Sequence, residues 1–307
     1  MAVILLTGAS GFVGQHLLAH LQGQGHDVRL LLRNPLPLHI PYSGQMYLMQ
    51  SVTDKATFSQ ACKGVNVVLH VGGLAHITNA RLAQQHEPFQ QVNVQWTQYL
   101  AETAFRAGVH RFVLVSSIGA VGNITIPGNK LDEHTPCNPS GPYALSKLQA
   151  EQALADVARH LNGSYAIVRP PLVHGLGAPG NLAKLAAWVN KGIPLPLAGL
   201  RNQRSLVHVE NLVQAIELLA FHASAHQQIF HVADSVDYST TDILNGVGNC
   251  LGVQPRLFGL PLNWLRWVGK LLGKQAMADQ LTANLQVDSA HLQRTLGYRA
   301  RLLPIEV

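Results

Sequence analysis

The stretch Thr7-Gly8-Ala9-Ser10-Gly11-Phe12-Val13-Gly14 connects an apolar run to a helical pattern close to the N-terminus. Residues 3–6 are β-favouring and apolar, which is typical of a buried parallel strand. Residues 15–21 place three leucines on one side of a predicted helix. Glycines permit a tight turn against a phosphate, and the helix N-terminus adds free N–H groups and a positive dipole end. This context favours a dinucleotide pyrophosphate site over an ordinary glycine-rich turn.

A second motif, Tyr143-Ala144-Leu145-Ser146-Lys147, begins a predicted helix over residues 143–160. Its tyrosine and lysine are four residues apart and share one helix face. Ser117 follows a predicted strand over Arg111–Val115. A free tyrosine has a pKa near 10, and a nearby ammonium and a positive nicotinamide ring favour its phenolate. Ser117 would hydrogen-bond the reacting oxygen. Tyr-x-x-x-Lys also occurs by chance on exposed helices, but Ser117 and the glycine loop favour catalysis.

Together these motifs resemble the short-chain dehydrogenase/reductase superfamily, since the glycine spacing is Gly-x-x-Gly-x-x-Gly rather than Gly-x-Gly-x-x-Gly. The length and the later motifs resemble the extended branch of nucleotide-sugar epimerases, dehydratases and reductases, over nearly the whole chain. The resemblance implies an α/β fold, a Rossmann-type doubly wound parallel sheet of about seven strands with a smaller C-terminal substrate domain. The predicted domains are residues 1–170 plus 205–235 for the cofactor and 171–204 plus 236–307 for a nucleotide sugar.

The residue after the second predicted strand, Asp27–Leu32, bears on the choice of cofactor. In NAD-preferring relatives an acidic residue ends this strand and binds the ribose hydroxyls. Here Leu32 takes that place and Arg33 follows. Arginine cannot accept hydroxyl hydrogen bonds but pairs well with a 2′-phosphate. Arg33 therefore favours NADP over NAD, while an arginine that stacks on the adenine of NAD remains the alternative.

The resemblance also implies a set of binding residues, although Ser51 stands where relatives carry an aspartate. The catalytic residues are Ser117, Tyr143 and Lys147. The other residues implied for the cofactor are Gly8, Ser10, Gly11, Phe12, Val13, Gly14, Arg33, Ser51, Val52, Val71, Gly72, Gly73, Asn93, Pro170 and Val173. Those implied for the substrate, with Ser117, are His76, Asn181, Leu182, Pro196 and Arg204.

Two of these assignments, Pro196 and Arg204, concern the nucleotide end of the substrate. Residues 194–197 resemble the strand that passes the uracil, and Arg204 matches an arginine that binds the diphosphate. A guanidinium suits this role because it recognises phosphate with two parallel hydrogen bonds. A plain surface arginine is the alternative. Ala278-Asp279 stands where relatives supply a second phosphate arginine, and Lys274 would have to compensate.

The residues after Ser117 narrow the expected reaction. Dehydratases of this family place Asp-Glu there, whereas this chain has Ile118-Gly119. Simple hydride transfer, by reduction or by epimerisation, remains. The resemblance implies that it acts at C4 of a UDP-hexose or UDP-N-acetylhexosamine, in a 4-keto reductase or a 4-epimerase that contributes to the synthesis of surface-polysaccharide precursors. Arg33 favours the reductase. The alternatives are an NADPH-dependent reductase of a non-nucleotide ketone and a non-catalytic NADP-sensing protein; the intact Ser117, Tyr143 and Lys147 argue against the latter.

Composition excludes several other classes of function. Of 307 residues 12% are charged, and the net charge is +6, which suits anionic ligands. The basic residues are scattered and no nucleic-acid motif is present, so we expect no nucleic-acid partner. The three cysteines have no paired spacing. The histidine pairs His16/His20 and His222/His226 have no third ligand, which indicates solvated helix faces rather than metal sites.

The remaining expectations concern location and assembly. The N-terminus enters a strand directly, which does not resemble a signal peptide, and no run of about 18 apolar residues is present. A cytoplasmic location is therefore expected. The resemblance implies a homodimer that forms through two helices, one of which carries Tyr143. Residues 262–274 form a basic amphipathic pattern with two tryptophans. Packing within the substrate domain is the favoured interpretation, and peripheral contact with a membrane surface is the alternative.

Overall fold

The computed structural model describes residues 1–75, 85–271 and 275–307. The described strands are β1 Val3–Thr7, β2 Asp27–Leu32, β3 Met46–Leu48, β4 Val67–His70, β5 Arg111–Val115, β6 Tyr165–Arg169, β7 Leu172–His174, β8 Arg204–His208, β9 Gln228–His231 and β10 Asp237–Tyr238. Seven of them form a parallel sheet in the order β3-β2-β1-β4-β5-β6-β9. The sequence-predicted bounds of β2 and β5 are those observed.

Helices cover both faces of this sheet. The described α-helices are α1 Phe12–Gly23, α2 Lys55–Cys62, α3 Glu87–Phe89, α4 Trp96–Arg106, α5 Pro142–Leu161, α6 Asn181–Asn190, α7 Val209–Phe221, α8 Thr240–Leu251, α9 Leu262–Leu271, α10 Gln275–Thr282 and α11 Ala290–Leu296. A π-helical segment, Gln90–Gln95, joins α3 to α4. Helices α1, α7 and α11 lie on one face of the sheet, and α2, α4 and α5 lie on the other.

The two faces follow from the alternation of side chains along each strand. In β1, Ile4 and Leu6 enter one core while Leu5 enters the other. Because every second side chain of a strand points the same way, a continuous apolar run is what a strand covered on both sides requires. This arrangement confirms the predicted Rossmann-type, doubly wound parallel sheet.

A second, smaller assembly lies beside the main sheet. Strands β10, β8 and β7 form a three-stranded sheet, and α6 and α8 pack into a separate core that includes Leu182, Leu206 and Leu244. The predicted division of the chain into two domains agrees in outline but stays a prediction. Residues 194–197 are not a strand and contribute only an isolated bridge between Leu195 and Leu257. Pro194 and Pro196 have no N–H group for a ladder, which explains the difference.

Helix α5, called the catalytic helix because it carries the predicted catalytic residues Tyr143 and Lys147, has clear local start and stop signals. Pro142 occupies the first turn of α5, where its missing N–H costs no intrahelical bond. At the other end Asn162 adopts the left-handed conformation with a φ of 50°, and its backbone N–H bonds to the carbonyl of Ala158. These signals place Tyr143 in the first turn of the helix, directly at the edge of the sheet where the strands end.

Candidate active site

The glycine loop lies between β1 and the N-terminus of α1. Gly8 has a φ of +73°, and a Cβ there would lie 2.6 Å from the backbone nitrogen of Gly72. A Cβ on Gly14 would lie 2.0 Å from the carbonyl oxygen of Gly8. That carbonyl accepts a hydrogen bond of 2.9 Å from the N–H of Gly11. Only glycine fits at these two positions, so the backbone forms an open turn that a pyrophosphate can approach.

A buried hydrogen-bond network fixes the neighbouring loop after β4. The Thr7 hydroxyl lies 2.8 Å from Nδ1 of His70 and accepts a 3.0 Å bond from the N–H of Gly72. Nε2 of His70 lies 3.1 Å from the Thr97 hydroxyl. Burial, with a smaller effect from Lys147, lowers the pKa of His70 to about 3, so this imidazole stays neutral at neutral pH. The network holds the backbone of residues 71–73 against the glycine loop.

Asn93 connects that loop to the catalytic helix. Its side-chain oxygen accepts from the N–H of Leu74 at 2.7 Å, and its Nδ2 donates to the carbonyl of Leu74 at 3.1 Å and to the Ser146 hydroxyl at 2.9 Å. The Ser146 hydroxyl in turn donates to the Tyr143 carbonyl at 2.8 Å. Asn93 lies in the π-helical segment, a type of bulge that is frequent at functional sites. Asn93 therefore supports the site without lining the cleft.

Tyr143, Lys147 and Ser117 meet where β5 ends. The Lys147 ammonium is buried and donates a 3.0 Å hydrogen bond to the carbonyl of Val115, the last residue of β5. Ser117 lies two residues further on and accepts from the N–H of Gly119 at 3.1 Å. All three side chains line the same cleft. The structure thus brings the three predicted catalytic residues together.

The pKa directions in this group differ from the sequence expectation for Tyr143. Burial raises the pKa of Tyr143, and the Ser117 side chain offsets only part of that rise. Burial lowers the pKa of Lys147 to about 8, and the Glu151 carboxylate opposes this shift. The expectation that nearby charge lowers the tyrosine pKa is therefore wrong for the protein's own side chains. The cause is desolvation, which disfavours the charged phenolate more than Ser117 favours it.

One turn beyond Lys147, Glu151 forms a buried ion pair that the sequence did not reveal. Nη2 of Arg169 lies 2.6 Å from Oε2 of Glu151, and Nε of Arg169 lies 3.0 Å from Oε1. The Ser116 hydroxyl donates a short hydrogen bond to the same carboxylate. This group joins the catalytic helix to the ends of β5 and β6. A bidentate pair with an added donor gives the buried charges enough partners.

Arg204 stands at the other end of the cleft, at the start of β8. Its Nη1 donates to two backbone carbonyls at the end of α10, at 2.7 Å to Gln280 and 3.1 Å to Ala283. Burial lowers the pKa of Arg204. Within the described part of the chain, its Nε and Nη2 make no hydrogen bond. The remaining edge of the guanidinium can therefore bind an anion in the cleft.

The cleft has a volume of about 930 Å³ and runs from the glycine loop past Tyr143 to Arg204. This size lies in the range of ligand-binding pockets. Arg33 is exposed at the rim beside the glycine loop. The predicted residues that line the cleft are Gly8, Ser10, Gly11, Phe12, Val13, Gly14, Arg33, Val71, Gly72, Gly73, Ser117, Tyr143, Lys147, Pro170, Val173, Asn181 and Arg204.

Other predicted residues lie elsewhere. Ser51 and Val52 do not line the cleft, and the Ser51 hydroxyl lies 3.1 Å from that of Thr53. Leu182 lines an apolar side pocket that shares Arg204 with the cleft, and Pro196 lines neither. His76 and Lys274 lie outside the described residues. The binding roles of all these residues remain predictions.

Five polar residues that line the cleft were not among the predicted site residues: Asn34, Ser116, Asn123, Ser140 and Gln280. Ser140 lies in the Pro/Gly-rich loop before Tyr143, and its closeness to that tyrosine is a signal that could have been used. No sequence signal marked Gln280. Its amide oxygen lies 3.4 Å from Nδ2 of Asn181, a contact between residues far apart in the chain.

Residues 1–75, 85–271 and 275–307 contain neither a candidate membrane span nor a candidate metal site. No helix in these ranges is long and apolar enough to cross a bilayer. No three His, Cys, Asp or Glu side chains in the same ranges converge as a metal site.

Comparison with known proteins agrees with this architecture. The model of the NAD-dependent epimerase/dehydratase family matches residues 4–233. A UDP-glucose 4-epimerase of Vibrio cholerae is 33% identical over 298 residues, which cover 96% of this chain and 90% of that protein. A ceramide reductase of Caulobacter vibrioides is 32% identical over 264 residues, which cover 84% of this chain and 74% of that protein.

Solved structures show the same fold. The crystal structure of the Thermus thermophilus UDP-glucose 4-epimerase in complex with NAD superposes with a TM-score of 0.79 at 21% identity, covering 98% of this chain and 94% of the other. The family match extends from β1 past β9 and includes the glycine loop, Ser117, Tyr143 and Lys147. The chain belongs to the NAD-dependent epimerase/dehydratase family and is a nicotinamide-dependent enzyme of that kind.

Proposed function

We propose that the protein transfers a hydride at C4 of a UDP-hexose or UDP-N-acetylhexosamine, as a 4-keto reductase or a 4-epimerase that contributes to surface-polysaccharide precursors. The observation that carries this proposal is one continuous cleft. It has the glycine loop at one end, Ser117, Tyr143 and Lys147 in the middle and the guanidinium of Arg204 at the far end. The resemblance to UDP-glucose 4-epimerases supports the same substrate class.

The cofactor fits the residues that are present. The loop at Gly8 and Gly14 leaves room that any Cβ would fill, and the N-terminus of α1 favours the pyrophosphate charge. Arg33 would pair with a 2′-phosphate, because it lines the cleft and forms no hydrogen bond with another described residue. We therefore propose NADP as the preferred cofactor. When bound, the cofactor supplies or accepts the hydride.

The protein's own residues handle the proton. Tyr143 donates a proton to the oxygen on C4 as the carbonyl is reduced, or removes it as the alcohol is oxidised. Ser117 hydrogen-bonds the same oxygen while its charge changes. Lys147 holds the nicotinamide ribose, and its ammonium is oriented by the carbonyl of Val115 at 3.0 Å. The free edge of Arg204 binds the diphosphate, with Asn181 beside it.

A panel of substrates tests the proposal. The purified protein is heated, the released nicotinamide cofactor is identified by chromatography, and turnover is then measured with UDP-hexoses and with UDP-4-keto sugars plus NADPH. Retained NAD together with interconversion of C4 epimers supports the epimerase, and an empty protein that oxidises NADPH with a UDP-4-keto sugar supports the reductase. Absence of turnover in both assays contradicts the proposal.

A second candidate is an NADPH-dependent reductase of a non-nucleotide ketone. It is favoured by the apolar side pocket beside Arg204, lined by leucines 172, 182, 185 and 281 with Trp188 and Ile243, and by the ceramide reductase relative. Arg204→Ala distinguishes the two, with exposed Arg201→Ala as the control. We expect Arg204→Ala to raise KM for a UDP-sugar at least about tenfold. An unchanged KM favours the non-nucleotide substrate.

Two structural expectations remain part of the proposal. The chain divides into a cofactor part, residues 1–170 plus 205–235, and a substrate part, residues 171–204 plus 236–307, and it forms a homodimer. The outward faces of α4 and α5, which meet along a groove that includes Gln98 and Gln149, are the surfaces where the partner would pack. Sedimentation velocity tests the assembly, since a monomer at micromolar concentration contradicts it.

A further inference from the structure

The exposed face of α9 carries an unusual concentration of aromatic surface. Trp264 is 61% exposed, Trp267 is 59% exposed and Leu271 is 72% exposed. These residues are spaced i, i+3 and i+7, so they lie along one stripe of the helix. We name Trp264, Trp267 and Leu271 the tryptophan stripe. The favoured sequence interpretation, in which both tryptophans pack inside the substrate part, does not match their exposure.

The stripe faces outward because another side of α9 packs into the protein. Leu265 is buried in the core formed with α6 and α8. The two tryptophan rings contact each other edge to face, with centroids 6.2 Å apart. By contrast Trp96 is 2% exposed in the main core. Folding thus leaves two large apolar rings in water, a feature that marks an interaction surface.

The charge of the sequence that contains the stripe points to the partner. Between Asp242 and Asp279 the sequence contains no Asp or Glu, and it carries Arg256, Arg266, Lys270 and Lys274. Lys270 is exposed next to Leu271. A helix that combines tryptophans with basic residues suits the boundary of an anionic bilayer, where indole rings settle among head groups and cations meet lipid phosphates.

We infer that the tryptophan stripe, together with Lys270 and the basic residues that flank it in sequence, docks the protein on the surface of an anionic lipid bilayer. Helix α9 packs against α10, and the carbonyl of Gln280 at the end of α10 accepts the 2.7 Å bond from Arg204. Docking therefore places the substrate end of the cleft beside the membrane surface. This inference is independent of the reaction proposed above, because it depends on surface residues outside the cleft.

Vesicle sedimentation tests the inference with the full chain. The wild type is mixed with vesicles of phosphatidylglycerol and phosphatidylcholine, or of phosphatidylcholine alone, over a range of salt concentrations. We expect binding to the anionic vesicles that weakens as salt rises. The double variant Trp264→Ala/Trp267→Ala should bind at least about tenfold more weakly. Lys270→Glu should weaken binding at least about fivefold.

The controls distinguish docking through the stripe from nonspecific binding of exposed apolar residues and from loss of the folded structure. Leu38 and Leu302 are 105% and 73% exposed outside α9, so Leu38→Ala/Leu302→Ala removes exposed apolar surface elsewhere on the protein and should bind like the wild type. Circular dichroism and turnover of each variant check the fold. Quenching of tryptophan fluorescence by brominated lipid reports directly on insertion of the stripe.

The inference is overturned if the wild type does not bind anionic vesicles, or if both double variants bind equally well. It is also overturned if the stripe variant changes the sedimentation coefficient of the lipid-free protein, since the stripe would then join two copies of the chain. Vesicle binding by a protein that is inactive on UDP-sugars would leave docking intact and contradict only the proposed function.

Discussion

Arg169 and Glu151 form an ion pair in which both residues are 3% exposed, and two nitrogen–oxygen contacts of 2.6 and 3.0 Å join them. The pair connects the end of β6 to the helix that carries Tyr143 and Lys147. It also binds the Ser116 hydroxyl, next to Ser117. The buried pair thus holds the helix that carries the predicted catalytic residues Tyr143 and Lys147 against the end of β6.

Removal of the Glu151 charge should destabilise the fold strongly. Glu151→Gln leaves the Arg169 guanidinium buried without its counter-charge, which costs about 3–5 kcal/mol of unfolding free energy. The measurement is urea denaturation followed by circular dichroism. Asp156→Asn is the matched control, because Asp156 pairs with Arg159 on the exposed face of the same helix at 3.1 Å. That change should cost less than about 1 kcal/mol; equal costs for the two variants would contradict this account of the pair.

Tyr143→Phe should remove the proton donor without disturbing the cleft. We expect kcat to fall about 100- to 10,000-fold, the range for loss of a general acid or base. The dissociation constant for NADPH, measured by fluorescence titration, should stay within a factor of about two. Tyr99→Phe, at a tyrosine near Lys55 outside the cleft, is the control and should keep full activity. A Tyr143→Phe enzyme with wild-type kcat would show that another group transfers the proton.

Stability should decline as pH falls, because His70 is held neutral. Its pKa is about 3 when folded, against an ordinary value of 6.5. Between these values the unfolded chain binds a proton that the folded protein does not, so the unfolding free energy rises with pH through this window. His231, lowered to about 4 by burial, acts in the same direction. Each contributes a slope of up to about 1.4 kcal/mol per pH unit.

His70→Asn tests this origin of the pH dependence. The unfolding free energy is measured by urea titration about every half pH unit between about pH 4 and 6. Its slope against pH over this range should become shallower in the variant. The exposed His110→Asn should leave the slope as it is in the wild type. If His70→Asn and His110→Asn have the same slope as the wild type, protonation of His70 does not limit stability.

Arg33→Ala should alter the choice of cofactor. If the guanidinium pairs with a 2′-phosphate, the variant should bind NADPH about 10- to 100-fold more weakly while NADH binding changes little. Isothermal titration with both cofactors measures the two effects. The exposed Lys63→Ala, which removes a cation outside the cleft, is the control. An equal loss for NADH and NADPH would mean that Arg33 contacts the adenine instead.

Much of the fold and the centre of the site could be predicted from the sequence because their signals are local. The glycine loop follows a strand and opens a helix, and Tyr143 and Lys147 share one helix face. Ser117 stands directly after β5. Each signal lies within a few residues, so elementary rules on glycine, helix periodicity and strand ends were sufficient. The cofactor roles of Ser51 and Val52 followed from resemblance alone, and the structure places both outside the cleft lining.

What could not be predicted depends on contacts across the chain. Nothing in the local pattern pairs Glu151 with Arg169, and nothing joins Arg204 to the carbonyls at the end of α10. The rise in the pKa of Tyr143 that the protein's own residues produce could not be predicted either, because it depends on burial, which requires the tertiary structure. The exposure of Trp264 and Trp267 was mistaken, since an amphipathic pattern does not say which face meets the core.

The most direct test of the central claim follows the hydride itself. The enzyme is incubated with a UDP-4-keto sugar and NADPH deuterated at the transferable position, and the product is examined by mass spectrometry and NMR. In parallel, a UDP-hexose deuterated at C4 is supplied to enzyme with its retained cofactor. The account predicts that the UDP-hexose product of one of these experiments carries deuterium at C4, and that the Tyr143→Phe variant does not form this labelled product. A protein that places no deuterium at C4 in either experiment would contradict the account.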